Sequence, residues 1–188
     1  MENVLVADEV LVEPIITYER KFKINRLFSP DPELVLSHMD LYKGIKILDI
    51  GCGAGKLLST IAELLDGCEL VGIDIQAKAI ELAQKFTVKG IEFKTADAAK
   101  LPFQKDSFDY VICTNAFYYI ENKGRALMEM YRVLKTGGRL LLLEGIVGTT
   151  FKAKLDKIMR QSPFIKFSRK FLKRTTLLRK SYLISAVK

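Results

Sequence analysis

Apolar residues recur along this chain in two ways, as short apolar runs and as stripes with helical spacing. The short runs that predict buried strands lie at residues 45–50, 69–74, 91–94, 107–113 and 140–144. Between the first two runs, Leu58, Ile61 and Leu65 recur at the spacing of a helix that lies on a sheet. Strands that alternate with helices of this length predict an α/β fold, in which a doubly wound, mostly parallel sheet carries helices on both faces.

The same patterns predict the other elements. A helix is expected to begin at Pro32, with Asp31 as its N-cap residue, and to end near Tyr42, and further helices are expected over residues 76–87 and 121–135. Residues 1–28 follow no single period, and we interpret them as an N-terminal cap over a ligand pocket. Towards the C-terminus a last strand is expected over residues 182–187, and an amphipathic helix is predicted by the stripe of Phe164, Phe167, Ser168, Phe171 and Leu172.

Charge is divided unevenly along the chain. The whole chain carries a formal net charge of +8, and residues 151–188 hold 12 Lys and Arg against one acidic residue, Asp156. This imbalance favours an anionic partner for the basic C-terminal segment, such as RNA, a membrane surface or an acidic substrate. A helix that packs on the sheet and turns its basic face to solvent explains the imbalance equally well.

Length and cysteine content place the chain in a broad class. A chain of 188 residues, 49% of them apolar, predicts a single domain over residues 1–188 that buries roughly 70% of its unfolded surface. Cys52, Cys68 and Cys113 are an odd number without C-x-x-C spacing, so we expect reduced structural thiols and no metal site in a cytoplasmic protein. The sequence shows neither an apolar run of roughly 20 residues nor the basic flank of a signal peptide.

Three glycines at alternate positions, Gly51, Gly53 and Gly55, connect the first apolar run to the first helical stripe. Glycine reaches positive φ without a steric penalty and, lacking Cβ, lets a ligand lie against the main chain. A dinucleotide fold expects G-x-G-x-x-G, but here the third glycine comes one residue early and Lys56 stands at the position expected for glycine. Asp49 would repel a diphosphate, so the turn favours a cationic ligand.

This stretch resembles the first motif of the class I S-adenosylmethionine-dependent methyltransferases, whose Asp or Glu and three alternate glycines are matched by Asp49, Gly51, Gly53 and Gly55. Residues 132–140 are similar to the fifth-strand signature of the small-molecule group (type 11) typified by ubiquinone and menaquinone biosynthesis enzymes. The resemblance covers roughly residues 40–147 and implies a Rossmann-like fold with an antiparallel last strand. It also implies S-adenosylmethionine as cofactor, S-adenosylhomocysteine as product, and a turn, Cys52 included, that holds the methionine end.

Acidic residues near two further strand ends fit the same ligand. Asp74 follows Gly51 by 23 residues, near the distance of about 20 at which such folds place a carboxylate for the ribose, although a helix cap is the alternative. The resemblance implies that Ile75 packs against the adenine ring. Asp97 and Ala98 begin a run similar to the family motif D-A-x-x-L-P-F, where they would bond the adenine amino group and a ring nitrogen. For Asp97 the alternative is an Asx turn.

The end of the fourth strand is expected to face the methyl acceptor. The resemblance implies that Asn115 holds the cofactor ammonium through its backbone, and Tyr118 and Tyr119 are candidate acceptor contacts, with simple packing as the alternative. Enzymes of this superfamily that methylate exocyclic amino nitrogens commonly carry two prolines after the Asn, and this chain has Ala116 and Phe117 instead. No catalytic residue identifies itself; Tyr118, Tyr119 and His38 are candidates for a base.

We therefore expect a methyltransferase that acts on a small-molecule or lipid-like acceptor by in-line displacement at the sulfonium carbon. Two alternatives remain, a non-catalytic module that binds the cofactor and an RNA-associated protein whose basic tail docks nucleic acid. The same tail would also suit a peripheral position at a membrane surface. A nicotinamide dehydrogenase is disfavoured by the glycine spacing.

Overall fold

The computed structural model describes residues 32–86, 90–145, 148–173 and 180–188. Its helices are α1 (Pro32–Leu36), α2 (Lys56–Leu64), α3 (Ala77–Phe86), α4 (Lys123–Val133) and α5 (Gly148–Arg160), with a short 3₁₀ helix at Phe117–Tyr119. Its strands are β1 (Lys46–Ile50), β2 (Glu69–Asp74), β3 (Ile91–Thr95), β4 (Phe108–Thr114), β5 (Leu134–Gly145), β6 (Lys166–Lys173) and β7 (Lys180–Val187).

These seven strands form one mixed sheet in the order β3-β2-β1-β4-β5-β7-β6. β1 to β5 pair in parallel, whereas β7 runs antiparallel to both β5 and β6. Strand order reverses beside β1, so β1 and β4 are adjacent although two helices and two strands separate them in sequence. The predicted α/β fold with a mostly parallel, doubly wound sheet and an antiparallel last strand is confirmed.

Helices cover both faces of the sheet, which explains why the parallel strands are almost continuously apolar. On one face, buried residues of α4 and α5, such as Leu127 and Met159, pack with Leu48 and Val111 of the sheet. On the other, α1, α2 and α3 pack against the alternate strand positions, among them Ile47. The two layers fix the strand ends relative to one another.

The predicted C-terminal helix is wrong, because residues 166–173 form strand β6. Phe167 packs against the core. The ring of Phe171 packs beside that of Tyr182 on β7, with the two ring centroids 5.1 Å apart. Phe167, Arg169 and Phe171 share one face of the strand, so a period of two fits them as well as the helical period. β6 lies at the sheet edge, where exposed lysines such as Lys166 and Lys170 are common.

Other boundaries differ from the sequence expectations. α1 ends at Leu36, earlier than expected, and Gly44 adopts φ +86° in the turn before β1. α5 was not expected, and the predicted strand at residues 182–187 is confirmed as part of β7. The expected N-terminal cap and the N-cap residue Asp31 lie outside the described residues.

Candidate active site

A cavity of about 520 Å³ opens where β1, β2, β3 and β4 reach their carboxyl ends. Ligands of open α/β sheets bind at this edge, where the strand order reverses. The wall of the cavity brings together seven of the residues singled out from the sequence, namely Gly51, Asp74, Ile75, Asp97, Ala98, Asn115 and Tyr119.

The glycine turn is held tightly against the end of β2. The N–H groups of Gly51 and Cys52 both donate to the carbonyl of Ile73, at 2.8 and 3.0 Å. Gly51 has φ +73°, and a Cβ there would lie 2.3 Å from the Cβ of Ala116. A Cβ on Gly53 would meet nothing within 4 Å. The turn therefore needs glycine to let β1 approach the end of β4, and it leaves space beside its own main chain.

Asp49 is a buried carboxyl group next to this turn, only 2% exposed. Among the described residues, no hydrogen-bond partner is found for its Oδ1 atom. Burial raises the pKa of Asp49 to about 7, and the negative charge of Asp74 adds to the rise. A cation or an N–H donor nearby would stabilise the ionised form.

Asp74 connects the glycine turn to the loop that leads into α3. Its Oδ2 atom accepts the N–H of Gly53 at 3.1 Å, and its Oδ1 atom accepts the N–H of Gln76 at 2.9 Å. The second bond orders the start of α3, as the capping alternative expects. The carboxylate of Asp74 also lines the cavity. It can therefore make the capping contact and still be open to a ligand.

Asp97 likewise makes a local bond and lines the cavity. Its Oδ1 atom accepts the N–H of Ala99 at 2.8 Å, which is the Asx turn expected as the alternative. Ala98 is buried beside it, whereas Ile75 is 70% exposed on the facing loop, an unusual position for an isoleucine. Asp97, Ala98 and Ile75 together form the end of the cavity near β2 and β3.

A partly buried ion pair on α4 anchors the loop that carries Asp97, and it was not recognised from the sequence. Glu129 accepts the N–H of Leu101 at 2.9 Å and pairs with Arg132 at 2.7 Å. The Arg132 guanidinium also donates to the carbonyls of Phe103 and Leu101 at 2.7 and 3.1 Å. The Leu-Pro-Phe segment is thus fixed to α4.

Asn115 joins the ends of β4 and β5. It adopts φ +53°, its N–H donates to the Leu143 carbonyl at 2.7 Å, and its Oδ1 atom accepts the N–H of Gly145 at 2.7 Å. Asparagine tolerates the left-handed region better than most residues because its short polar side chain bonds locally. These contacts hold Asn115 and Ala116 in the cavity wall.

The three candidate bases are placed differently. Tyr119 is 77% exposed and lines the cavity, and its ring meets that of Tyr118 edge-on at 5.3 Å. Tyr118 lies outside the cavity wall, as does His38, whose Nδ1 contacts the Leu34 carbonyl near α1. Tyr119 is the candidate that the fold brings to the cavity.

Glu144 is a second buried carboxyl group, and it was not recognised as a candidate from the sequence. Its Oε1 atom accepts the N–H of Phe117 at 2.8 Å, and the N–H of Tyr118 also donates to this carboxylate. Burial nonetheless raises the pKa of Glu144 to about 7. Glu144 therefore fixes the 3₁₀ helix that presents Tyr119. The signal in the sequence was an acid at the end of a four-leucine run.

Several predicted residues lie beside the cavity and outside its wall. These described residues are Asp49, Cys52, Gly53 and Gly55. The side chain of Cys52 packs towards β2, where a Cβ on Gly72 would lie 2.9 Å from its sulfur. Burial raises the pKa of the Cys52 thiol. Cys52 contributes its backbone to the turn and its side chain to packing.

Within the described residues, no group of three or more His, Cys, Asp or Glu side chains is arranged to hold a metal ion. All three cysteines are free thiols. In the same part of the chain, no helix combines the length and the apolar character needed to cross a membrane.

Residues 41–174 match the family model of a methyltransferase domain. The chain is 34% identical over 129 residues to a demethylmenaquinone methyltransferase of Thermus thermophilus. This match covers 64% of this chain and 57% of that protein. It is 33% identical over 137 residues to a phthiotriol/phenolphthiotriol dimycocerosates methyltransferase of Mycobacterium leprae. That match covers 62% of this chain and 51% of the relative. The chain spans about half the length of the curated relatives it matches.

Among solved structures, the fold is similar to that of a SAM-dependent methyltransferase from Aquifex aeolicus, with a TM-score of 0.72 and 20% identity. The match covers 92% of this chain and 97% of that one. At this level of identity the likeness concerns the fold, and it agrees with the strand order described above.

Proposed function

Because the chain belongs to the methyltransferase-domain family, in the class that uses S-adenosylmethionine, we propose that it transfers a methyl group from this cofactor to a small-molecule or lipid-like acceptor. The observation that supports this most is the convergence of the glycine turn, Asp74 and Asp97 on one cavity. The residues fit the cofactor in charge as well, since a sulfonium and an ammonium suit a site that gathers carboxyl groups better than a diphosphate does.

Each part of the cofactor has residues suited to it. Asp49 and the main chain around Gly51 would hold the methionine end, since the Oδ1 atom of Asp49, which has no partner among the residues that the structure describes, suits a donor from that end. Asp74 accepts the ribose hydroxyls. At the far end, Asp97 and the Ala98 amide bind the adenine edge while Ile75 covers the ring, which gives its exposed side chain an apolar partner.

The chemistry of the step comes from the cofactor, which supplies an activated methyl group on sulfur. The chain contributes alignment and the exclusion of water. Asn115 and Ala116 form the wall at the end of β4, and the 3₁₀ helix held by Glu144 places Tyr119 and Ile120 over the cavity. Holding donor and acceptor in line can supply up to roughly 7–11 kcal/mol of the barrier.

The acceptor class is supported by the relatives. Those that match include enzymes named for demethylmenaquinone and for phthiotriol dimycocerosates. The exposed Tyr119 ring and the neighbouring Ile120 offer an apolar rim for such an acceptor.

Calorimetry on the intact chain tests cofactor binding. S-adenosylhomocysteine is expected to bind, NAD is expected to give no heat, and Asp74→Ala should weaken binding on the order of tenfold to a hundredfold because charged hydrogen bonds are lost. Asp66→Ala, which removes an exposed carboxylate before β2, is the matched control and should bind like the parent. Heat with NAD and none with S-adenosylhomocysteine would contradict the proposal.

Turnover distinguishes an enzyme from a binding module. The chain is incubated with methyl-labelled S-adenosylmethionine and a panel of quinols, phenols and hydroxylated lipids, and formation of S-adenosylhomocysteine is measured. We expect the labelled methyl group to appear in an acceptor, and we expect this transfer to be lost or reduced in Asp74→Ala. Cofactor binding without transfer to any acceptor in the panel would favour the non-catalytic module.

A second role, docking of the basic C-terminal segment on an anionic membrane surface, is favoured by the β6 edge. Ile165 is 92% exposed and Phe171 53% exposed beside the exposed Lys166 and Lys170. Apolar residues that can enter the lipid next to lysines that bind its headgroups suit an anionic bilayer. Co-sedimentation with phosphatidylserine vesicles should fall in Ile165→Ser and be unchanged in Ile120→Ser. Equal sedimentation of both variants would argue against docking through this edge.

A further inference from the structure

A second cavity of about 540 Å³ lies beside the first, between α4 and α5. It is lined by Glu121, Asn122, Lys123, Gly124, Lys154 and Ile158. Glu121 and Asn122 line both cavities, so the two are separated by no more than the segment that enters α4. A molecule long enough to cross this segment can occupy both.

Two lysines, Lys123 and Lys154, line this second cavity. The pKa of Lys123 is lowered, first by its burial and then by the positive charge of Lys154, with only a partial opposing effect from Glu144. The ammonium of Lys123 donates to the carbonyl of Ile120, a residue of the first cavity's wall. Between residues that the structure describes, neither lysine forms a salt bridge with a carboxylate.

The backbone adds to the positive potential at the same place. Asn122 caps α4 by accepting the N–H of Arg125 at 3.0 Å, so the amides of the first turn stand at this end of the helix. A Cβ on Gly124 would meet nothing within 4 Å, so the main chain there is open to the cavity. Two ammonium groups and the positive end of a helix dipole converge at this cavity, where Glu121 on the rim is the one acidic side chain among the described lining residues.

We propose that this dilysine cavity binds an acidic group, a phosphate or a carboxylate, on the methyl acceptor, whose reacting atom then lies in the first cavity beside Tyr119. The assignment rests on the proposed methyl transfer and narrows its acceptor class to molecules that carry an anion a short distance from the methylated atom. An anion between Lys123 and Lys154 removes their mutual repulsion, and ammonium groups are effective ligands for both kinds of acid.

Glu121 opposes this interaction and supplies a test of opposite sign. It is exposed on the rim that both cavities share, so its carboxylate repels an acceptor anion. Its removal should strengthen anion binding, whereas removal of either lysine should weaken it. A general loss of structure cannot produce both effects.

Calorimetric titration with phenyl phosphate and with benzoate, in the presence and absence of saturating S-adenosylhomocysteine, measures the interaction on the intact chain. Lys123→Gln/Lys154→Gln should weaken the better anion on the order of tenfold or more, while Glu121→Gln should strengthen it about twofold to threefold. The control, Lys43→Gln/Lys105→Gln, removes the same charge from exposed positions before β1 and β4, at the opposite end of the strands, and should bind like the parent. The preferred anion tells a phosphate acceptor from a carboxylate acceptor.

The proposal is overturned if neither anion binds the parent chain, if the two double variants bind alike, or if neutral benzyl alcohol binds as tightly as benzoate. Failure of the proposed methyl transfer is separate, because it shows as the absence of S-adenosylhomocysteine binding in the same samples. The anion titration without that ligand still decides whether the dilysine cavity is a site.

Discussion

Two buried carboxyl groups, Asp49 and Glu144, differ in how the fold satisfies them. Glu144 accepts backbone N–H groups of the 3₁₀ helix, whereas Oδ1 of Asp49 has no partner among the described residues. Burial raises the pKa of each to about 7, well above the value of about 4 expected in the unfolded chain. Between these values the native state binds more protons than the unfolded state, so stability must fall as pH rises through this window.

Asn in place of Asp49 should remove part of this pH dependence. We expect the free energy of unfolding of the parent chain to fall by about 1–3 kcal/mol per group between pH 4 and pH 7 and to level off above it. Asp49→Asn should show a shallower slope, as measured by urea unfolding at several pH values. Asp66→Asn, an exposed carboxylate, is the control. Identical slopes in Asp49→Asn and the parent would show that Asp49 does not titrate there.

Gly51 and Gly44 separate two effects of a side chain at positive φ. Gly51→Ala adds both backbone strain and a clash with Ala116, so we expect a loss of about 3–5 kcal/mol and no measurable binding of S-adenosylhomocysteine. Gly44→Ala adds strain alone in open space and should cost about 1–2 kcal/mol with binding retained. Equal losses in the two variants would mean that β1 and β4 can move apart without penalty.

How far single residues could be assigned from the sequence depended on what surrounded them in the chain. Asp74 and Asp97 were identifiable because each follows a strand and sits in a recognisable local motif, and both line the cavity. Glu144 was missed because its partner, Phe117, lies 27 residues away and is brought to it only by the pairing of β4 with β5. Lys154 was missed because it lies on α5, a helix that the apolar pattern of the sequence did not predict.

At the scale of elements, the error at β6 has a physical cause. Aromatic residues at 164, 167 and 171 fit a helical period, yet residues 167, 169 and 171 also alternate as in a strand. In an edge strand one face is solvated, so its lysines dilute the apolar alternation. The strand is stabilised by its pairing with β7, which runs from Lys166 opposite Val187 to Lys173 opposite Lys180. This pairing is a long-range contact, so the local periodicity of the sequence cannot predict it.

Asp156 fastens α5 to the final hairpin. It accepts from Arg169 on β6 at 2.9 Å and from the Tyr182 hydroxyl on β7 at 2.6 Å. Burial, and then this bond to Asp156, raise the pKa of Tyr182 to about 12. Asp156→Ala should cost about 1–2 kcal/mol in urea unfolding and lower the pKa of Tyr182 in an ultraviolet titration. Glu92→Ala, which breaks an exposed pair with Lys94, should cost less than about 1 kcal/mol. An unchanged Tyr182 titration would rule out the bond.

At the scale of the whole molecule, the proposed cofactor bridges the ends of four strands that no single element connects. A ligand that binds only the native state stabilises it by mass action, by about 2.7 kcal/mol at 100 times Kd. S-adenosylhomocysteine at that excess should therefore raise the Tm of the chain by about 5–10 °C in a thermal scan. NAD should leave it unchanged, and Asp74→Ala should show a smaller rise at equal concentration. A rise with NAD alone would contradict the cofactor assignment.

The architecture was more predictable than the detail because it follows from a few strong signals. Apolar runs separated by helical stripes were enough to predict a parallel α/β sheet, and the family match agrees with the resemblance noted in the glycine turn. The acceptor side was not predictable, since it is assembled from the 3₁₀ helix, the start of α4 and α5, whose meeting depends on how the layers pack.

The insertion of β7 between β5 and β6 sets an order of events during synthesis. β6 leaves the ribosome first, but its hydrogen-bonding neighbour is β7, so β6 has no place on the growing sheet until residues 180–187 have followed it. In the interval the nascent chain carries a basic, phenylalanine-bearing segment beside an unfinished β5 edge. We expect a cellular chaperone to bind this transient species, because its strand edge and its phenylalanines are not yet covered.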